Sequence, residues 1–244
     1  MNRDGEPALT IVMPAHNEAD LLARAVNEVL DGAPAGADEF ELLVIENGST
    51  DDTRTIAERL AVELPAVATS SMPDADYGAA LRAGVLAARG DAIATFDVDY
   101  VDLGFLAEAL ALLRSAAATP PALVVGSKRA PGANDTRAFP RRLVTGVFST
   151  ILRIVFGLHV SDTHGMKVMA RRPIQPLARQ CRFDADLFDT ELVLRVERSG
   201  LGTAELPVTV EERRPSRTPI WRRVPRTVLG LLRLRVALWQ EHRR

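Results

Sequence analysis

Short apolar runs, each closed by polar residues and followed by a helical pattern, recur from residue 9 to residue 125, and nothing else in the chain limits its architecture as much. Residues 9–13 (LTIVM) are β-branched and apolar and stop at Pro14, which predicts a buried strand. Residues 18–31 then set Leu21, Leu22, Ala25, Val26, Val29 and Leu30 at helical spacing. Residues 40–45 (FELLVI) predict a second strand, with 47–52 (NGSTDD) as turn and helix cap. A third unit joins a strand at 66–69 to a helix near 77–89. A fourth joins residues 92–96 to a helix at about 103–116, and residues 122–125 add a further strand. Strands alternating with helices predict a mostly parallel sheet with helices on both faces. Ligands of such sheets sit at the carboxyl ends of the strands. Here those ends read PAHNE (14–18), ENGS (46–49) and DVD (97–99), so one crevice is expected to gather all three.

The second half is less regular. Residues 141–158 place Val144, Val147, Phe148, Ile151, Val155 and Leu158 on one helical face; Arg153 interrupts the run, which is short for a bilayer span. This predicts an amphipathic helix over the sheet or over an acceptor groove. A helix near 185–199, a strand at 203–210 and a last helix at 219–240 follow. With 244 residues and no repeat or low-complexity linker, the chain is expected to form one domain over 1–212, followed by an extension at 213–244. Cys181 is the only cysteine, which excludes an intramolecular disulfide and points to a reducing compartment. No apolar run before residue 9 has signal-peptide length.

Charge is unevenly placed. The net charge is only −2, yet residues 213–244 hold ten arginines against one acid, Glu241. Arginines flanking an apolar face suit an anionic membrane surface; they equally suit a capping or dimer-forming helix with a solvated polar side. No aromatic stacking motif accompanies the charge, so nucleic acid is not an expected partner.

Asp97-Val98-Asp99 is the sharpest local feature. A strict strand would turn the two carboxylates to opposite faces. A chain that bends at the strand end can bring both to one hard divalent cation, Mg²⁺ or Mn²⁺, which keeps positions open for substrate phosphates. The same three residues also suit a solvated turn. Asn47 and Ser49 read either as helix caps or as contacts to a bound base, and Gly78 either as a helix start or as room for a ligand.

In combination these segments resemble the family-2 glycosyltransferases of the GT-A fold. Residues 14–18, then 46–53 (ENGSTDDT), 77–81 (YGAAL), 90–91 (GD) and 97–99 follow the order and spacing of that family's P-x-Y-N-E, D-D-G-S-x-D-x-T, G-x-G-x-A-L and D-x-D segments. Further on, GSKR (126–129), DTHGMK (162–167), FDTE (188–191), GTAELPV (202–208) and RRPSR (213–217) resemble the dolichyl-phosphate mannose synthases and related polyprenyl-phosphate sugar synthases.

The resemblance implies a Rossmann-like GT-A sheet ending in an amphipathic helix, with a nucleotide-sugar half at about 1–130 and an acceptor half at about 131–212. It implies an inverting transfer from a GDP- or UDP-sugar to a polyprenyl phosphate; the expected location is cytoplasmic, with peripheral attachment to the inner face of the membrane as an option. Pro14, His16, Glu18, Glu46, Asn47, Ser49, Tyr77 and Gly78 would hold the nucleotide, and Asp97 and Asp99 the metal. Lys128, Lys167, Arg213 and Arg217 would face the donor diphosphate or the acceptor phosphate, beside Asp162. An acceptor phosphate is already ionised and needs no base; a soluble hydroxyl acceptor would need one, with Asp162, His164 and Asp189 as candidates. A non-catalytic nucleotide-sugar binder is the other alternative. His16 stands where tyrosine is usual, Glu46-Asn47 where two aspartates are, and Met166-Lys167 where Phe-Arg are.

Overall fold

The computed structural model describes residues 6–33, 40–117, 119–136, 139–210 and 220–241. Its centre is β1 (Leu9–Ala15), buried along its whole length. β2 (Phe40–Asn47) and β4 (Ala92–Thr95) flank β1 in parallel, Leu9 standing opposite Phe40 on one side and Ala92 on the other. With β3 (Val67–Met72), β5 (Leu123–Ser127), β7 (Lys167–Ala170) and β8 (Thr203–Pro207) they form a seven-stranded sheet in the order β3-β2-β1-β4-β7-β5-β8. A separate parallel pair joins β6 (Asn134–Asp135) to β9 (Thr209–Val210).

Alternation along β1 builds two cores. Leu9, Ile11 and Met13 face α1 (Leu22–Gly32), α2 (Thr53–Glu63) and α4 (Leu103–Leu113). Val12 faces the other way, toward α3 (Tyr77–Ala87), α5 (Phe139–Phe156), α6 (Arg171–Gln180), α7 (Phe188–Arg198) and α8 (Ile220–Glu241). The expected mostly parallel sheet, helices on both faces and terminal helix are therefore present, with strand and helix limits shifted by a few residues.

Two elements go beyond the sequence reading. β7 runs antiparallel and is wedged between β4 and β5, and α6 leaves it directly. β7 is only four residues and opens on a lysine, whereas α6 carries Pro173 and Pro176. Pro173 sits in the first turn, where its missing N–H has no intrahelical partner to lose. The predicted strand at 203–210 breaks at Val208, whose N–H donates to Ser127 O at 3.2 Å. A 3-10 turn (Ala185–Leu187) starts the helix expected near 185.

α8 packs on the domain by one face and presents another to solvent. Leu231, Leu234 and Leu238 are buried, while Val228, Leu229, Leu232, Val236 and Trp239 are exposed. Its last turn is tied down by Glu241, 3.2 Å from Arg195 and 3.0 Å from Arg182. Among the described residues no helix is long and apolar enough to cross a membrane.

Candidate active site

Because β2, β1 and β4 are neighbours, the three polar segments after them meet at one edge of the sheet. Side chains stitch the first two together. His16 Nδ1 lies 2.7 Å from Asn47 O, and Asn17 Nδ2 lies 3.1 Å from His16 Nε2. A carbonyl only accepts, so the imidazole donates from Nδ1 and receives the Asn17 amide at Nε2. Asn17 is left-handed, with φ 54°, and its Oδ1 accepts the Thr50 N–H at 2.8 Å. Glu18 N–H donates to Thr53 Oγ1, and Glu46 Oε1 accepts from Ser49 N–H at 2.6 Å.

Neither proposed cap works as one. Asn47 Oδ1 accepts from Asp76 N–H and Ser49 Oγ from Asn17 N–H, while Asp51 Oδ1 takes the Thr53 N–H at the start of α2. The close neighbour of Gly78 is the chain itself: a Cβ there would stand 2.2 Å from Ala185 O.

The segment after β4 turns at once. Tyr100 N–H donates to Asp97 O at 3.1 Å, closing a turn over 97–100, and Val98 is buried in the core between the two carboxylates. Tyr77 OH donates to Asp97 Oδ1 at 2.7 Å. Burial in the cleft pushes the Asp97 carboxyl above the usual range; the Tyr77 hydrogen bond opposes this, and the charges of Asp99 and Asp189 add to it. Water still reaches Asp97, so the enclosure is that of an open cleft. Tyr77 is pushed well up, by loss of solvation in the cleft first and then by the charges of Asp97 and Asp189, although the residue is 40% exposed.

Beyond β4 lie the groups of the second half. Lys128 Nζ donates to His164 O at 2.9 Å and stands 4.0 Å from Asp162 Oδ2; Asp162 is buried, and Oδ1 accepts the His164 N–H. Lys167 is only 1% exposed, its ammonium 2.8 Å from Asp189 Oδ1 and donating to Gly165 O. It faces inward, onto Asp189. A cleft of about 420 Å³ is lined by Lys128, Arg129, Asn134, Asp135, Arg142 and Thr145 among others. Next to it a groove of about 410 Å³ shares Arg129 and Arg142 and continues along α5 past Leu143, Gly146, Val147 and Thr150. A Cβ on Gly146 would stand 2.9 Å from Arg129 Nη1, so this glycine lets the guanidinium lie against the helix.

Residues 10–176 match glycosyl transferase family 2. The chain belongs to that family. Among curated relatives it is 29% identical over 231 residues to glycosyltransferase AglD of Haloferax volcanii, covering 91% of this chain and 35% of AglD. It is 28% identical to a dolichyl-phosphate beta-glucosyltransferase of Trichomonas vaginalis, covering 83% of this chain and 64% of that one. The chain thus spans about a third of AglD and less than two thirds of the second relative. Among solved structures, glucosyl-3-phosphoglycerate synthase from Mycobacterium tuberculosis, in complex with Mn²⁺, UDP and glucosyl-3-phosphoglycerate, superposes with a TM-score of 0.66 at 22% identity, over 96% of this chain and 81% of that one. That likeness fixes the fold as GT-A.

For this family-2 glycosyltransferase the structure brings Pro14, His16, Glu18, Glu46, Asn47, Ser49, Tyr77, Asp97 and Asp99 to the same sheet edge, through the loops just described. Arg213 and Arg217 lie outside the described residues. Arg129 and Arg142 line the cationic cleft without having been singled out from sequence, although Arg129 follows Lys128 directly and Arg142 opens the 141–158 pattern. Among the described residues no three His, Cys, Asp or Glu side chains converge to cage a metal. A cation held here would need oxygens from its substrate, as Mg²⁺-type sites commonly do. The Asp99 charge bearing on Asp97 fits such a cation, while Asp189 is already paired with Lys167 and the Lys128 charge acts on Asp97 in the opposite sense.

Proposed function

We propose that this enzyme is an inverting glycosyltransferase that moves a sugar from a GDP- or UDP-sugar to a polyprenyl-phosphate acceptor. The observation that carries the reading is the cationic cleft of Lys128, Arg129 and Arg142 opening into an apolar groove along α5. An anionic head followed by a hydrocarbon tail matches that pairing, and the name of the Trichomonas relative agrees with it. Residues 1–212 would be the catalytic unit and 213–244 a basic extension.

Asp97 and Asp99 would hold Mg²⁺ or Mn²⁺, which offsets the charge that grows on the departing diphosphate. The loops at 14–18 and 46–49 would seat the nucleoside, with His16 fixed between Asn47 O and the Asn17 amide. Lys128, Arg129 and Arg142 would hold the acceptor phosphate, whose ionised oxygen attacks the anomeric carbon without a base. A hydroxyl acceptor would need one. Asp189 is paired with buried Lys167, whereas Asp162 uses Oδ1 for a backbone N–H and keeps a buried Oδ2 without a hydrogen bond among the described residues, so Asp162 and His164 are the groups such an acceptor would call on.

Delivery of such an acceptor suits peripheral attachment to the cytoplasmic face of an anionic membrane. The outward side of α8 supplies Leu229, Leu232, Val236 and Trp239 with exposed Arg233 and Arg235, and α5 exposes Leu143, Val147 and Ile154.

The test is transfer from UDP- and GDP-sugars with Mn²⁺ to farnesyl phosphate, against soluble alcohols and phosphorylated sugars. Transfer to the prenyl phosphate is expected, rising when anionic vesicles are present. Turnover with soluble hydroxyls alone would replace this acceptor, and a concentration-dependent dimer without vesicle binding would reassign the outer face of α8.

A further inference from the structure

Ser127 closes β5, and Lys128 and Arg129 follow it into the cationic cleft. What sets the backbone of that bend lies one strand away, on the edge of the sheet. Glu205 of β8 sits opposite Val125 of β5. Its Oε1 takes both the N–H and the hydroxyl of Ser161, each at 2.8 Å. A carboxylate only accepts, so the single hydroxyl proton of Ser161 is directed at Glu205. Ser161 Oγ must then accept from Ser127 Oγ, 2.8 Å away. Ser127, its own proton pointed at Ser161, offers its lone pairs to the N–H groups of Arg129 and Ala130, both at 3.1 Å. Every proton direction along this path follows from the one carboxylate.

Ser127 is fully buried, so its hydroxyl has no water to fall back on. The relay also spans two loops: Ser161 immediately precedes Asp162, and Lys128 Nζ returns to that loop at His164 O. One edge-strand carboxylate thereby fixes both walls that carry Lys128.

We propose that Glu205 is a positioning residue for the cationic cleft, acting through Ser161 and Ser127 on the backbone of Arg129 and Ala130 and so on Lys128 just before them. The relay stands on its own hydrogen bonds; its consequence for an acceptor phosphate rests on the function proposed above.

Two readouts keep those apart. The first needs no substrate: hydrogen exchange of the Arg129 and Ala130 amides. Protection should fall by about tenfold or more in Glu205→Ala and remain near wild type in Glu205→Gln, which keeps an accepting oxygen. The second is steady-state kinetics with farnesyl phosphate as acceptor. Glu205→Ala should raise its KM about tenfold while kcat and the donor KM stay within about twofold, and Glu205→Gln should restore it. Ser161→Ala serves as a second variant if Glu205→Ala does not fold.

Unchanged amide protection in Glu205→Ala overturns the proposal. So does a glutamine variant as damaged as the alanine one, or a donor KM that rises in step with the acceptor KM. Loosened amides in an enzyme that ignores farnesyl phosphate would uphold the relay and sink the acceptor reading instead.

Discussion

Two carboxylates at opposite ends of the sheet are treated in opposite ways. Glu41, near the amino end of β2, is only 6% exposed. Burial alone would push its carboxyl up, but hydrogen bonds from Arg89 and Thr10 and the Arg89 charge outweigh it, leaving the group below its usual range. Thr10 donates to it at 2.7 Å, the Arg89 N–H at 3.0 Å, and the guanidinium closes over the second oxygen. At the carboxyl end, Asp97 receives one hydroxyl and faces other carboxylates, and its carboxyl is pushed up. One end is capped by its own guanidinium; at the other, the Tyr77 hydroxyl and the Lys128 charge lower the carboxyl less than burial and its acidic neighbours raise it. We read the first as kept for stability and propose the second as kept for chemistry.

Catalysis should break the comparison most. Asp99→Ala is expected to lower kcat/KM by about 10²–10³-fold, the scale of losing one preorganised charge-stabilising group, and to abolish stabilisation by nucleotide with Mn²⁺. Glycosyl transfer assays and thermal melts read both. Next, Lys128→Ala and Arg142→Ala should each raise the acceptor KM by about 10–100-fold, the equivalent of about 1.5–3 kcal/mol for a charged hydrogen bond. The donor KM should hardly move.

At the other end the effect is on folding. Glu41→Ala should cost about 1–3 kcal/mol by urea denaturation, because it strands the Thr10 hydroxyl proton and leaves the Arg89 N–H only Thr10 Oγ1 as acceptor. Catalysis per folded molecule should survive.

The smallest effect carries the opposite sign. A carboxyl raised in the folded state contributes stability that is complete below its unfolded pKa and disappears as pH climbs through the folded value. Glu41, lowered by its partners, contributes stability above its unfolded pKa that is lost on acidification through the folded value. Asp97→Asn should therefore raise the melting temperature of the metal-free protein slightly at neutral pH and leave it unchanged in acid. Melting curves across pH 3 to 8 would check the crossing.

The parallel framework was legible because β1, β2 and β4 are mostly apolar runs whose carboxyl ends are all polar; the bend after Asp97 was one of the readings those residues left open. β7 was not, since a four-residue run opening on a lysine lacks any period, and Lys167 becomes intelligible only once Asp189 arrives from α7, far along the chain. Asn47 and Ser49 carried the right chemistry for a cap, yet their partners are Asp76 and Asn17, contacts that depend on how α3 and the 14–18 loop dock. Arg142 was hidden by its place at the start of an amphipathic pattern; only a groove shared with Arg129 gives it a role. Sequence spacing reveals which segments meet, while pairings across the sheet decide what each side chain does there.

Calorimetric titration of Mn²⁺ into the wild type and Asp97→Asn, with UDP or GDP present, goes most directly to the proposal that the carboxylates at the end of β4 hold a cation against a diphosphate. Tight binding that needs both nucleotide and wild-type Asp97 is the predicted result. Equal nucleotide affinity with and without metal, unaltered by the substitution, would contradict it.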